Sequence, residues 1–196
     1  MKNIGLIGCG NIAETYFRAQ DYFNNINFIA CADKFPEAAD KCAQQYNIKS
    51  LSVDEILIDS DVDIILNLTI PQAHFEVSKL ALNAGKHVYS EKPMSISYNE
   101  AKELLQLAHN KNLYFGNAPD TFLGGGGQMA RQLIDKGEIG KILTGNFIFA
   151  FPGVQEFHPN PESWFQLGGG PVIDMGPYFF TSLVNLLGPV KNVRAR

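Results

Sequence analysis

An α/β fold with a parallel sheet covered on both faces is what this 196-residue sequence predicts, and three observations carry the prediction. Short apolar runs alternate with segments of helical spacing through roughly the first 118 residues, the pattern of repeated βαβ units. A turn of small residues joins the first run to the first helical segment in "IGLIGCGNIAETYF", residues 4 to 17. The second run, "FIACAD", closes on an acidic residue, Asp33.

The elements follow in order. Strand-like runs are expected at 3 to 7, 27 to 32 ("NFIACA"), 63 to 68 ("DIILNL"), 86 to 90 ("KHVYS") and 113 to 115. Helical spacing fills 11 to 20, 36 to 46, 72 to 84 and 97 to 110, with Val77, Leu80 and Ala81, or Ala101, Leu104, Leu105 and Ala108, on one face. Beyond residue 118 the texture changes. "TFLGGGGQMARQLIDKGEIGKI" predicts a glycine-rich entry, a helix over 127 to 136 and a stop at Gly137. "KILTGNFIFAF" then alternates like a strand with one buried face, residues 151 to 170 read as a long loop, and a helix over 172 to 187 precedes a short strand-like tail. Two domains are expected, residues 1–120 and residues 121–196.

Composition narrows the function. A formal charge of −4 with no block of Lys or Arg leaves no electrostatic footprint for nucleic acid or an anionic membrane surface, so a small-molecule ligand is expected. Cys9, Cys31 and Cys42 are odd in number and lack CxxC spacing, which argues against disulfides and against zinc and suits a reducing cytoplasm. The first strand is reached too soon, and is too short, for a signal-peptide core or a membrane span.

The turn at residues 8 to 13 reads as GxGxxA. Gly8 and Gly10 make the tight turn, Asn11 and Ile12 open the helix, and Ala13 lets the helix pack on the strand. Unpaired backbone N–H groups at such a helix start suit a pyrophosphate. An acidic residue at the end of the next strand, here Asp33, is the expected partner of a ribose hydroxyl pair. The plain alternatives are a strand-to-helix turn for the glycines and a helix cap for Asp33. Together the motifs define a Rossmann-type dinucleotide site for NAD or NADP. The carboxylate at 33 repels a 2′-phosphate and favours NAD, while Lys34 partly offsets it.

Other strand ends reach the same carboxyl edge of the sheet. "NLTIPQAHFE" places Thr69, Pro71 and His74 where they can line the nicotinamide end, although a His in a first helical turn also fits a structural role. "YSEKPMS" puts Glu91 and Lys92 directly after a buried run, with Pro93 holding Lys92 extended; a surface ion pair is the bland reading. In "GGGPVIDMGPYFFTSLVNLLG" Asp174 and Tyr178 stand four apart, one turn apart on one helical face that is otherwise apolar. That pair suits acid/base work. The preceding loop offers Phe157, Trp164 and Phe165 as flat faces for a sugar ring and His158 as a polar contact, or else a domain-interface cluster.

GxGxxA on the first strand, the acidic end of the second, "EKP" after the fifth and "GGGxxxDxGxY" opening a helix, in this order, resemble the glucose-fructose oxidoreductase, inositol dehydrogenase and rhizopine-catabolism (Gfo/Idh/MocA) family. The resemblance implies an N-terminal Rossmann domain, a C-terminal α/β domain with a large open sheet, and hydride transfer between NAD(P) and a sugar, polyol or related hydroxyl. It implies cofactor and substrate roles for Lys92, with Glu91 beside the cofactor, and substrate binding or proton relay for Asp174. Many members have His where this chain has Tyr178; members with Tyr include glucose-fructose oxidoreductase-like and dihydrodiol dehydrogenase-like enzymes. Chemistry agrees, because hydride leaves a carbinol carbon as its hydroxyl proton is removed, and an ammonium such as Lys92 stabilises a phenolate at Tyr178. A cofactor-sensing regulator on the same fold and an NAD-dependent glycosidase are the rival readings. Since members run to over ~300 residues, the size of two typical domains, the second domain is expected to be incomplete. Phe147 and Phe149 would then lack most of their sheet, and self-association through an exposed strand, hence a homo-oligomer, is expected, with cofactor binding by the first domain but little or no catalysis by this chain.

Overall fold

The computed structural model describes residues 1–150, 152–156, 161–166 and 168–194. They divide into two compact units, Met1–Ala118 and Pro119–Arg196.

The first unit is a six-stranded sheet, β1 (Lys2–Ile7), β2 (Ile26–Ala32), β3 (Lys49–Ser50), β4 (Ile64–Asn67), β5 (His87–Ser90) and β6 (Phe115–Asn117). Its order is β3-β2-β1-β4-β5-β6 with every pair parallel. Helices α1 (Ala13–Ala19), α2 (Pro36–Tyr46), α3 (Val53–Ile58), α4 (Pro71–Asn83) and α5 (Tyr98–Asn110) alternate with the strands. The five strands expected from the apolar runs are present within about two residues of their expected limits. Two elements escaped the pattern, β3 and α3, both too short for a periodic signal. Yet "SVDE" announces α3: Ser52 accepts from the Glu55 amide at 3.2 Å while the Glu55 carboxylate accepts from the Ser52 amide at 2.8 Å, a capping box.

Parallel strands bury both faces, so two apolar clusters form. Leu6, Phe28, Cys31 and Leu66 pack with Ala13 and Phe17 of α1 and with Cys42 and Ala43 of α2. Ile7, Ala30, Ala32, Ile65 and Val88 pack on the opposite cluster with Ile56, Leu82 and Leu104. Side chains of a regular strand alternate faces, but Phe28 and Cys31, three apart, share one. The register between β1 and β2 slips between Ile4 and Gly5, pairing Ile4 with Phe28 and Gly5 with Ala30. That irregularity reverses the parity of the rest of β2.

In the second unit, α6 (Gly125–Asp135) stops as expected at Gly137, whose φ of 72° turns the chain so that the following Glu138 amide reaches back to the Leu133 carbonyl at 3.1 Å. The helix expected over 172 to 187 is two, α7 (Pro171–Asp174) and α8 (Gly176–Leu187). Pro177 has no amide to continue the ladder from α7, which accounts for the break at Met175. Arg131 of α6 donates to the carbonyls of Asn185 and Leu186 at 2.7 and 2.9 Å, placing its charge on the C-terminal end of α8.

The strand expected over 141 to 150 is not formed, and no strand appears among the described residues of the tail, 190 to 194. Alternation supplies a face, but a strand also needs a neighbour's ladder, and no described segment of this unit provides one. Phe147 and Phe149 instead pack on Phe179 of α8, with ring centroids 5.0 and 5.5 Å away. The exposed strand through which self-association was expected is therefore absent among the described residues.

Candidate functional site

The order of the strands reverses between β1 and β4, and the chain turns away from the carboxyl end of each. Ligands of open α/β sheets bind at such a switch point. Gly8 sits in the cleft with φ of 105°, and a Cβ there would lie 2.6 Å from the Leu68 carbonyl carbon and 2.7 Å from the Thr69 nitrogen. Only glycine lets the ends of β1 and β4 approach this closely. A Cβ at Gly10 would meet nothing within 4 Å, so the outer side of the turn is open. Asn11 and Ile12 are exposed beside it, and α1 starts without any side-chain cap on its first amides.

Asp33 ties this turn to β2. One carboxylate oxygen accepts the Cys9 amide at 2.8 Å and the other accepts the Phe35 amide at 2.9 Å. Each oxygen keeps a lone pair for a further donor. Lys34 is exposed, its ammonium 5.9 Å from the centre of the Phe35 ring.

Behind the end of β4, Asn67 is fully buried and organises the next turn. Its amide group donates to the His74 carbonyl and the Ser78 hydroxyl, and its oxygen accepts from the amide and hydroxyl of Thr69. His74 is 1% exposed. Its Nδ1 faces the Pro93 carbonyl at 2.6 Å and its Nε2 faces the Thr69 carbonyl at 2.9 Å. Both ring nitrogens are thus spent on backbone, and the ring ties the turn after β4 to the turn after β5. Pro71 begins α4 half-buried at the same edge.

The turn after β5 carries Glu91, half-buried, whose two oxygens accept the Tyr16 hydroxyl at 2.8 Å and the Lys92 amide at 2.9 Å. Asn117 donates to the Ser90 and Glu91 carbonyls at 2.9 Å. Lys92 follows, half-buried, in a cis peptide bond with Pro93. The sheet edge therefore brings together Gly8, Gly10, Asp33, Thr69, His74, Glu91 and Lys92. Sequence reasoning missed Tyr16, Asn67 and Asn117. The signal for the two asparagines was a polar residue ending an apolar strand, in "DIILN" and "FGN".

Asp174 and Tyr178 belong to the second unit, both half-buried, on either side of the α7–α8 break rather than on one helix. The Tyr178 amide reaches Met175 at 3.2 Å, and its carbonyl accepts the Ser182 hydroxyl at 2.7 Å. Trp164 is half-buried and Phe165 is exposed; Phe157 and His158 lie outside the described residues.

The first unit is thus a dinucleotide-binding Rossmann domain. Residues 2–118 match a family model described as an oxidoreductase family with an NAD-binding Rossmann fold, and residues 128–196 match the GFO/IDH/MocA C-terminal domain. The chain belongs to the Gfo/Idh/MocA oxidoreductase family. It is 34% identical over 149 residues to an uncharacterized oxidoreductase of Schizosaccharomyces pombe, covering 74% of this chain and 39% of that protein. It is 28% identical over 190 residues to the dTDP-3,4-didehydro-2,6-dideoxy-alpha-D-glucose 3-reductase of Saccharopolyspora spinosa, covering 95% of this chain and 57% of the relative. Among solved structures, a 3-ketoreductase of Actinomadura kijaniata in complex with NADP and TDP-benzene superposes with a TM-score of 0.85 at 25% identity, over 95% of this chain and 57% of that one. The chain spans well under two thirds of the length of these relatives. No helix among the described residues is long and apolar enough to cross a membrane.

Proposed function

We propose that the protein is an oxidoreductase that moves hydride between NAD and a hydroxyl or carbonyl carbon of a sugar, polyol or related compound. The observation that carries this reading is Asp33, held by two backbone amides beside the open glycine-rich turn at the switch point of the sheet. A carboxylate fixed there accepts from a ribose hydroxyl pair and repels a 2′-phosphate, which favours NAD over NADP. The turn at Gly8 and Gly10 would hold the pyrophosphate, and the edge at Thr69 and Lys92 would face the nicotinamide. When bound, the cofactor supplies the hydride acceptor or donor.

The chain's own residues supply binding and proton movement. Lys92 carries a positive charge at the end of β5, Tyr178 is the acid/base group for the substrate hydroxyl, and Asp174 orients neighbouring hydroxyls. Two relatives, a deoxysugar-nucleotide 3-reductase and a 3-ketoreductase, support a sugar-like substrate. Residues 1–120 serve as the cofactor domain and residues 121–196 belong to the substrate domain. Three free cysteines suit a reducing cytoplasm.

The test is a melting-temperature screen with NADH and NADPH, followed by an absorbance assay at the nicotinamide band over sugars, polyols and their keto forms. Stabilisation of this chain by NADH is expected, with turnover of a hydroxyl or keto substrate in a form of the protein that spans the full length of its relatives. In that full-length form, NADH binding without turnover of any compound would favour a cofactor-sensing regulator.

A further inference from the structure

Cys9, Cys31 and Cys42 are separated by 21 and 10 intervening residues, a spacing that matches no metal motif. In the fold their sulfurs all lie within 4.8 Å of one another. Each arrives by a different route. Cys9 follows Gly8 in the turn after β1, Cys42 lies on the face of α2 that packs on the sheet, and the irregularity in β2 turns Cys31 to that same face. Cys31 and Cys42 are 0% and 7% exposed and Cys9 is half-buried; none is in a disulfide.

The sulfurs have little else to do. Cys31 donates weakly to the Ala39 carbonyl at 3.3 Å and Cys9 to the Ala32 carbonyl at 3.6 Å. Otherwise they face one another. A surface hollow lined by Cys9, Gly10, Asn11, Glu14, Lys41 and Cys42 lies against two of the three cysteines. Metal–sulfur bonds of about 2.3 Å place three thiolates roughly 3.8–4.0 Å apart in tetrahedral or trigonal geometry, within the span observed.

We propose that Cys9, Cys31 and Cys42 form a three-thiolate site for one soft, closed-shell metal ion of the zinc, cadmium or copper(I) class, with its open position toward the hollow. An all-sulfur donor set selects soft ions over magnesium or calcium. Binding replaces three S–H bonds by three metal–sulfur bonds and releases the thiol protons to solvent, with no change of oxidation state. The ion then joins the glycine-rich turn, β2 and α2, which also meet through apolar packing and through hydrogen bonds such as Gly8 to Ala32 and Cys9 to Asp33.

Cadmium(II) alone is the probe, added to protein kept reduced with a phosphine and free of cofactor. The thiolate-to-cadmium absorption band should rise linearly and saturate at one equivalent. The melting temperature should rise by about 5 °C or more with free metal at a hundred times Kd. Cys9→Ser and Cys42→Ala should each weaken binding by about a hundredfold or more, since each removes one ligand of three. These cysteines are the only three in the chain, so the band reports on this cluster alone. A wild-type titration without a band saturating at one equivalent overturns the site, however the variants fold. So does a band of full intensity in either variant.

Discussion

The Cys9 amide donates to the Asp33 carboxylate at 2.8 Å, so the glycine-rich turn and the end of β2 move as one piece. Asp33→Ala should therefore act twice. It lowers the melting temperature by releasing the Cys9 and Phe35 amides, and it weakens NAD by about tenfold or more, because a hydrogen bond to a charged group is worth about 1.5–3 kcal/mol. NADP should lose less. Isothermal titration with both cofactors decides: equal losses would remove the ribose contact from Asp33.

Gly8→Ala should be more damaging than any other single change in the turn. The added Cβ meets the Leu68–Thr69 backbone at 2.6–2.7 Å in a left-handed conformation that side chains rarely adopt. Gly10→Ala meets nothing within 4 Å and should leave folding intact. Denaturant melts of the two variants should differ by about 2 kcal/mol or more, the scale of strain plus overpacking. Cofactor titration of Gly10→Ala then reports on ligand approach alone.

His74→Ala should destabilise the protein by about 2–4 kcal/mol, removing the ring's donor from the Thr69 or Pro93 carbonyl and leaving a void where the ring was. The ring sits between two acceptors. A neutral imidazole donates to one of them, and a ring that donates to both carries two protons. Nitrogen-15 chemical shifts of the ring distinguish the two states. Urea unfolding measures the loss, and a change under about 0.5 kcal/mol, the size of an ordinary surface substitution, would show that the tie is dispensable.

Acid should weaken the first unit through paired carboxylates. Asp63 lies below its ordinary value because it accepts from Lys2 and from the Asn3 amide, Asp59 because it accepts from the Asp61 amide and Lys49, and Glu55 because it accepts from the Ser52 amide and hydroxyl. A carboxyl lowered in the folded state contributes stability that is fully present above its unfolded value and is lost as pH falls through the folded one. With ordinary values of 3.8 for Asp and 4.5 for Glu, the melting temperature should begin to fall below about pH 5 and continue falling below pH 4. Asp63→Asn should flatten part of that slope and leave the neutral-pH side unchanged in shape.

In a form of the protein that turns over substrate, Lys92→Ala and Tyr178→Phe should each cut kcat by about 10²-fold or more, the scale of acid/base catalysis. Tyr178→Phe should change cofactor affinity less than Lys92→Ala does. Near-normal turnover in Tyr178→Phe would move proton transfer to Asp174, Lys92 or water.

Local features were legible in the order of residues alone. Apolar periodicity located five strands and the longer helices, Gly137 marked a helix stop, and "GCGNIA" marked the turn between β1 and α1, because these features depend on neighbours a few residues away. Tertiary structure decided what depends on register and partners. The alternation of "TGNFIFAF" did not become a strand, for pairing needs a second strand and not only a pattern. Asp174 and Tyr178 fell on separate helices once Pro177 interrupted the ladder. His74, placed by its sequence among cofactor contacts, is enclosed with both nitrogens on carbonyls, a fate set by two turns that meet only when β4 and β5 pair. The three cysteines met because a one-residue slip in β2 turned Cys31 toward α2, and a parity change of that kind has no signature in spacing.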